Sequence, residues 1–538
     1  MSLSPIDLQI MWNRLVAVVE EQAQALLRTA FSPIVRECGD LSAGVFDRHG
    51  RMLAQAVTGT PGHVNSMAES VKYFIEAFPL ETMKEGDAYI TNDPWKGTGH
   101  LNDFVVTTPA FHNGELVGLF SCTSHLTDIG GIGFGPDGTD VHMEGIYLPF
   151  LKIVDQGRVN RDIVAICKAN TRLPVEVEGD IYSLVGCNDV GARRLSAMMG
   201  EFGLANLDEL AEHILGQSRK AVLAELAKLP KGSFDYAMTI DGYDEPLELV
   251  ARTTIGEDGV TVDFDGTSPM VRRGINVPLS YTTAYSCFGL MCAIAPGVPN
   301  NAGSLGVFEV TAPEGALLNA PYPAAVSSRH VIGQMLPDVV FGCLRQAIPE
   351  RCPAEGTSCL WNMTFRGPRG RDNDGRYGFA FTMTSNGGTG ARPSRDGLSA
   401  TAYPSGVKGT PVEIVEAQTP LVFWRKEYRE GSGGAGRFRG GHGQAIEVEH
   451  GEGLPFELLA AMDRIQFPPR GVLGGKNGAA GALTTSKGRT LRGKGFQIVE
   501  GGERLTVLTP GGGGYGDPAE RDPSLAASDA ENGLSAGD

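Results

Sequence analysis

In the stretch GTGHLNDF (97–104), His100 and Asp103 stand three residues apart. An imidazole nitrogen and a carboxylate oxygen both ligate divalent transition ions. Two of them converging from one loop would leave positions open for water. The same spacing suits an ordinary polar loop, so the other arrivals have to decide. His125 closes a strand-like run, LVGLFSCTS (116–124), which follows FVVTTPAF (104–111) across His112-Asn113-Gly114-Glu115. Asn-Gly between apolar runs is a strong hairpin signal. A two-residue Asn113-Gly114 loop sets His125 opposite Asn102. A three-residue loop that takes in Glu115 sets it opposite Asp103. Either register returns His125 to GHLND. Asp40, in RECGDLS ahead of an earlier hairpin, is a fourth candidate. Asp40, His100, Asp103 and His125 together suit Zn, Mn or Fe(II), and a divalent ion there would bring the pKa of bound water near neutrality.

The run HLTDIGGIGFGPDG (125–138) follows directly. Its glycines would let backbone amides approach a ligand closely, though a plain loop has the same composition. Asp128 would orient a ligand or sit in a turn. His142 and Glu144, in VHMEG, are weaker metal or acid/base candidates. Nucleotide motifs fail. GRTLRGKG (488–495) has Gly495 where a phosphate loop needs Ser or Thr, and GSGGAG (431–436) is followed by RFRGGHG rather than by a helix pattern.

These residues need elements to hold them. Ser4-Pro5 followed by apolar residues at helical spacing predicts a helix to about residue 28. SAGVFDRHGRMLAQA (42–56) predicts two short strands around the turn at 47–50, and DAYITND (87–93) a further strand. Pro109 favours an edge position for the 104–111 strand. Helices are expected at 158–168, 172–200, 206–227, 280–295 and 328–348, with a strand meander over 232–268. From 354 to 515 short strands and glycine loops dominate. The fold class is α+β and multi-domain, with mixed sheets, helices, glycine-rich loops and a β-rich C-terminal half. The expected divisions are an α+β metal-site domain (1–230), a β-meander with a helical middle region (231–353), a β-rich glycine-loop domain (354–518) and a disordered tail (519–538).

Bulk properties narrow the partners. The 46 Lys and Arg against 63 Asp and Glu give a net charge of −17, which argues against nucleic acid or an anionic membrane. Nine cysteines without paired spacing fit reduced thiols and a cytoplasmic location. No signal-peptide pattern and no apolar run of ~18 residues occurs in the sequence.

Seven stretches, GDLSAGVFD, TNDPWKGTGHLND, SHLTDIGG, GGTGARPSRDG, TPVEIVE, GSGGAGRFRGGHG and LTPGGGGYGDP, lie in order over nearly the whole chain. Together they resemble the hydantoinase B/oxoprolinase family. The loop KGTGH departs by an inserted spacing from the Gly-Gly-Thr-His arrangement of many members. The resemblance implies a β-type subunit that opens a cyclic amide (hydantoin, lactam or 5-oxoproline). A hydantoinase A-like partner would use ATP to activate that ring. It implies a divalent metal, Zn or Mn with Fe a further option, on His100, Asp103 and His125 with Asp40. The catalytic set is then Asp40, His125 and Asp128, inside a hetero-oligomer of α2β2 or larger. Two other readings are a subunit of an ATP-dependent ketone carboxylase and a non-catalytic scaffold.

Overall fold

The structure is a computed structural model that describes residues 4–57, 59–370 and 378–534. The first helix, Pro5–Thr29, starts on a reciprocal cap: Ser4 accepts from the Asp7 amide and the Asp7 carboxylate reaches back to Ser4. Its buried stripe, including Met11, Leu15, Val19 and Leu26, covers one face of a seven-stranded sheet. The strands are β1 (Leu41–Phe46), β2 (Met52–Gln55), β3 (Ala88–Thr91), β4 (Asp103–His112), β5 (Glu115–His125), β6 (Leu151–Asp155) and β7 (Arg158–Val159). Their order is β2-β1-β5-β4-β3-β6-β7, with every pair antiparallel.

Both faces of this sheet are buried, which explains why its strands read as nearly continuous apolar runs. Phe104, Val106, Phe120 and Cys122 pack on the side of helices Pro5–Thr29 and Pro174–Phe202. Val105 and Leu119 point the other way, against Val64, Met67, Val71 and Phe74 of helix Pro61–Ala77. Alternation along a strand therefore assigns Asp103 and His125 to the face covered by helix Pro61–Ala77.

The β4–β5 hairpin reconciles the two registers expected from the sequence. Asn113 (φ 51°) and Gly114 (φ 84°) form the two-residue turn, with His112 opposite Glu115. A bulge after Ala110 then adds one residue to β5, and from Ala110↔Gly118 onward the register sets Asp103 opposite His125. Pro109 is not on an edge strand, since β4 lies between β5 and β3. The local reason is that β3 pairs only with residues 105–107, so nothing beyond them demands a donor from Pro109.

Three four-stranded sheets follow. One holds Gly232–Ile240, Leu247–Ile255, Val260–Asp263 and Phe308–Thr311, the last two parallel. The others hold 361–367, 379–385, 456–461 and 494–499, and 421–428, 444–450, 482–485 and 505–508. One core runs from Leu8 to Leu215 and takes in Leu360 and Val407. Another runs from Val222 to Val507 and crosses residue 353 without a break.

The C-terminal glycine runs pack on one another through their main chains. A Cβ on Gly512 would lie 1.8 Å from the Thr389 carbonyl, and one on Gly440 1.9 Å from the Gly512 carbonyl. The amides of Gly434 and Ala391 donate to the carbonyls of Gly512 and Gly513. The tail expected to be disordered is a correction: Pro523–Glu531 forms a helix, capped by Asp522 and tied down where Asp529 meets Arg439 and Arg521. Residues 535–538 of that tail lie outside the described residues. No helix among the described residues is long and apolar enough to cross a membrane.

Candidate metal centre

Register brings three of the expected residues into one row. β1 pairs with β5 so that Leu41 faces Ser124, which sets Asp40 beside His125, and the His125 amide donates to the Asp40 carbonyl at 3.2 Å. Asp40, His125 and Asp103 thus cross three adjacent strands at one end of the sheet, on the face that helix Pro61–Ala77 covers. His100 enters from the loop before β4. Its approach needs Gly99 in the left-handed region (φ 94°), where a side chain would press on Tyr281 and Arg329.

Asp103 is the hub. It is fully buried, and its Oδ1 lies 2.7 Å from His100 Nε2 and 3.2 Å from His125 Nδ1. Its Oδ2 lies 2.9 Å from His63 Nε2 and 2.6 Å from Arg329 Nη2. His63, in the first turn of helix Pro61–Ala77, also reaches Asp40 with Nδ1 at 3.5 Å from Oδ1. Thr60 Oγ1 donates to the same carboxylate at 3.4 Å.

Hydrogen-bond bookkeeping shows what the cluster lacks. His100 Nδ1 lies 2.8 Å from the Ser327 carbonyl. A carbonyl only accepts, so Nδ1 carries the proton and Nε2 presents a lone pair to a carboxylate oxygen. Two acceptors face each other there. Among the described residues no hydrogen bond reaches His100 Nε2, His125 Nε2 or His63 Nδ1, although all three atoms are buried. One ligand atom from each of His100, Asp103 and His125 lies within 4.8 Å of the others. Buried, unpartnered imidazole nitrogens around a carboxylate fit a divalent cation, and Ser327 supplies the outer hydrogen bond that fixes a ligating imidazole.

The charges agree. Burial, and then Arg329, push the His100 imidazole down to about 3, so it is neutral and able to ligate. Burial alone would raise Asp103, but His100, His63 and Arg329 outweigh it and hold the carboxyl well below its usual range. Burial opposes protonation of His63, but Asp103 and Asp40 overcome it and raise that imidazole.

Asp128 falls outside the cluster. Its carboxylate accepts from Thr171 Oγ1 at 2.8 Å and pairs with Arg172, so it ties the glycine loop to the approach of helix Pro174–Phe202. His142 is exposed on Tyr322. Glu144 is buried, and its Oε1 accepts from the amides of Val326 and Ser327 at 2.7 and 2.8 Å, which steadies the segment that holds His100. Sequence reasoning missed His63, Arg329, His330 and Phe134. The Phe134 ring lies 4.7 Å from that of His125 and 5.5 Å from that of His330. Only His63 left a trace, as a histidine just after a helix-starting Pro61.

The failed nucleotide motifs have structural reasons. GRTLRGKG runs into the strand Lys494–Val499, not a helix, and the glycines of 431–436 are taken up by the main-chain packing described above.

Residues 4–518 match the family model described as hydantoinase B/oxoprolinase, and the chain belongs to that family. It is 29% identical to a protein of Pseudomonas sp. (strain NS671) provisionally named as a subunit of a D-/L-hydantoinase, over 99% of this chain and 93% of that one. It is 30% identical to 5-oxoprolinase 1 of Arabidopsis thaliana over 95% of this chain, but spans only 42% of that protein. The crystal structure of the ATP-dependent caprolactamase from Pseudomonas jessenii superposes with a TM-score of 0.89 at 27% identity, over 100% of this chain and 95% of that chain.

Proposed function

We propose that this chain is the metal-dependent, ring-opening subunit of an ATP-dependent cyclic-amide hydrolase. The observation that carries the proposal is the set of buried, unpartnered imidazole nitrogens around Asp103. His100, Asp103 and His125, with Asp40, would hold the ion. A divalent ion there supplies Lewis acidity and lowers the pKa of water toward neutrality.

The chain's own groups do the rest. Arg329 neutralises part of the Asp103 charge and fixes its orientation, and Ser327 keeps His100 in the ligating tautomer. Asp40 Oδ1 accepts the proton released as water adds to the activated carbon, and the raised His63 imidazole, with Nδ1 3.5 Å away, steadies that carboxylate. It returns that proton to the ring nitrogen when the C–N bond breaks, and the acyl phosphate so formed takes up a second water and is cleaved to the carboxylate and inorganic phosphate. Burial of the cluster excludes bulk water, so competing hydrolysis of an activated ring is suppressed.

Amide resonance explains the need for ATP. An unstrained cyclic amide resists attack, and phosphorylation of its oxygen removes that resonance. A hydantoinase A-like partner would perform that step. Two facts support it: the Pseudomonas sp. relative is named as a subunit, and more than half of 5-oxoprolinase 1 lies beyond the part this chain spans. The test is to assay the isolated chain, the isolated partner and their mixture with ATP. Ring opening that appears only on mixing is expected. Turnover of ATP and substrate by this chain alone would refute the division of labour.

A further inference from the structure

The metal centre is not closed evenly. The side chains of His63, His100, Asp103 and His125 are at most 4% exposed, whereas that of Asp40 is 11% exposed. Beside Asp40 the surface is open: Gly39 is left-handed (φ 73°), and a Cβ there would meet nothing within 4 Å. Residues 406–410 run along this opening. A Cβ on Gly406 would lie 2.8 Å from the carbonyl of Gly59, the neighbour of the Thr60 that donates to Asp40. The Lys408 amide donates to the Cys38 carbonyl at 2.9 Å, and Thr410 Oγ1 lies 3.4 Å from Cys38 Sγ. Thr384 Oγ1 donates to the Lys408 carbonyl at 2.7 Å. The Lys408 backbone is therefore pinned beside the turn that leads into Asp40, while its side chain stands exposed.

The cations around the centre differ in what they hold. Arg329 is committed to Asp103 and the Thr98 carbonyl. Arg172 is committed to Asp128 and the Gly131 carbonyl, Arg366 to Glu457 and the Ile132 carbonyl, and Arg36 to Glu37. The Lys408 ammonium has no ion pair and no hydrogen bond among the described residues. Lys426 lies behind the same segment. Its half-buried ammonium donates to the Thr410 carbonyl at 2.6 Å and lies 4.0 Å from where a Gly409 Cβ would stand. No carboxylate among the described residues lies within ion-pair distance of it. Two uncompensated positive charges thus flank the open side of a centre that itself contains two carboxylates. In a chain with 63 acidic against 46 basic residues, leaving both unpaired here favours an anionic visitor.

We infer that Lys408, backed by Lys426, is the phosphoryl-binding rim of the metal centre. The proposed function delivers the ring as a phosphate ester, and that group carries a charge of roughly −1.5 to −2 at neutral pH. Asp40 and Asp103 alone would repel it. An ammonium on a flexible stem is a compact point charge that meets phosphate oxygens with charge-assisted hydrogen bonds. The phosphoryl group stays on its oxygen through ring opening and leaves only when the acyl phosphate is cleaved. One cation at the rim therefore serves both steps. The inference rests on the proposed function for its substrate, and it assigns Lys408 to binding rather than to the bond changes.

The experiment titrates inorganic phosphate into the full chain as purified, by calorimetry at low ionic strength, with metal content measured on the same sample. Lys408→Ala should weaken phosphate binding roughly tenfold or more, as loss of a charged hydrogen bond does, with metal content and melting temperature unchanged. Lys408→Arg keeps the charge and should bind within about threefold of the wild type. At an ionic strength of ~1 M the gap between wild type and Lys408→Ala should shrink, because screening is then nearly complete. No phosphate binding by the wild type, equal affinity in folded Lys408→Ala, or no rescue by Lys408→Arg would overturn the inference. Ring opening by the reconstituted complex is scored separately. Turnover by a complex whose chain binds phosphate without regard to Lys408 defeats the rim and leaves the proposed function standing. Phosphate binding that depends on Lys408, in a chain whose complex opens no ring, does the reverse.

Discussion

At the scale of single residues, the cluster makes His125 the cleanest probe. It ends β5 at the edge of the cluster, with Nε2 free of any hydrogen bond among the described residues. His125→Ala should lower metal affinity at least tenfold, since loss of even an outer-sphere partner costs about 10–100-fold, and should abolish ring opening while the fold survives. His49, in the turn between β1 and β2, is the control and should tolerate alanine. Elemental analysis beside a thermal melt separates the outcomes, and normal metal occupancy in His125→Ala would remove it from the ligand set. Glu144 tests the electrostatics. Burial pushes its carboxyl up to about 8, against an ordinary 4.5. The folded state therefore binds this proton more tightly than the unfolded chain. Its contribution to stability is complete below pH ~4.5 and is lost as pH rises toward ~8. Glu144→Gln keeps the acceptor for Val326 and Ser327 and cannot ionise. Relative to wild type it should gain about 2–4 kcal/mol between pH 4.5 and 8.5. Calorimetric melts across that range would show it, and parallel pH profiles for the two proteins would contradict it.

At the scale of elements, the hairpin and the glycine loop set what the sequence could reveal. Asn113-Gly114 announced the turn, so the return of His125 to Asp103 was legible. The bulge after Ala110 was not, because it depends on how β4 and β5 twist together. Asp40 was legible as a candidate, but its place in the row needed the β1–β5 register, a long-range pairing. His63 and Arg329 reach Asp103 only by docking of a helix and a loop far away in the chain, and no spacing encodes that. Asp128 shows the converse error. Three residues from His125 suggested a shared site, yet its carboxylate turns to Arg172, which lies 44 residues further on. Asp128→Ala should therefore cost about 1–3 kcal/mol of stability through the lost charged hydrogen bonds, with metal content unchanged. Denaturation curves and elemental analysis on the same sample decide it, and loss of metal without loss of stability would tie Asp128 to the site as the sequence suggested. The tail helix escaped because its apolar content is low. Its anchor is the pairing of Asp529 with Arg439 and Arg521 rather than a hydrophobic stripe.

At the scale of the whole molecule, the account divides labour between chains. The C-terminal glycine segments, whose sequences already fail as nucleotide motifs, let main chains pack at distances that a Cβ would forbid. On the proposed function nucleotide chemistry would fall to a partner, and this chain's candidate site lies at one end of the seven-stranded sheet. On that proposal an activated ring would pass between subunits without meeting bulk water, which calls for a stably bound partner and a shared or connected cavity. Co-purified subunits should elute as one complex, and the glycine loop that starts after Asp128 is suited to line the path. The central claim is that the Asp103 cluster binds a metal on which ring opening depends, and the most direct measurement is the metal content of the chain, purified without chelators, set against the activity of its complex. The account predicts about one divalent transition ion per chain, removed together with activity by a chelator and restored with it. A metal-free complex that still opens rings at the full rate would contradict it.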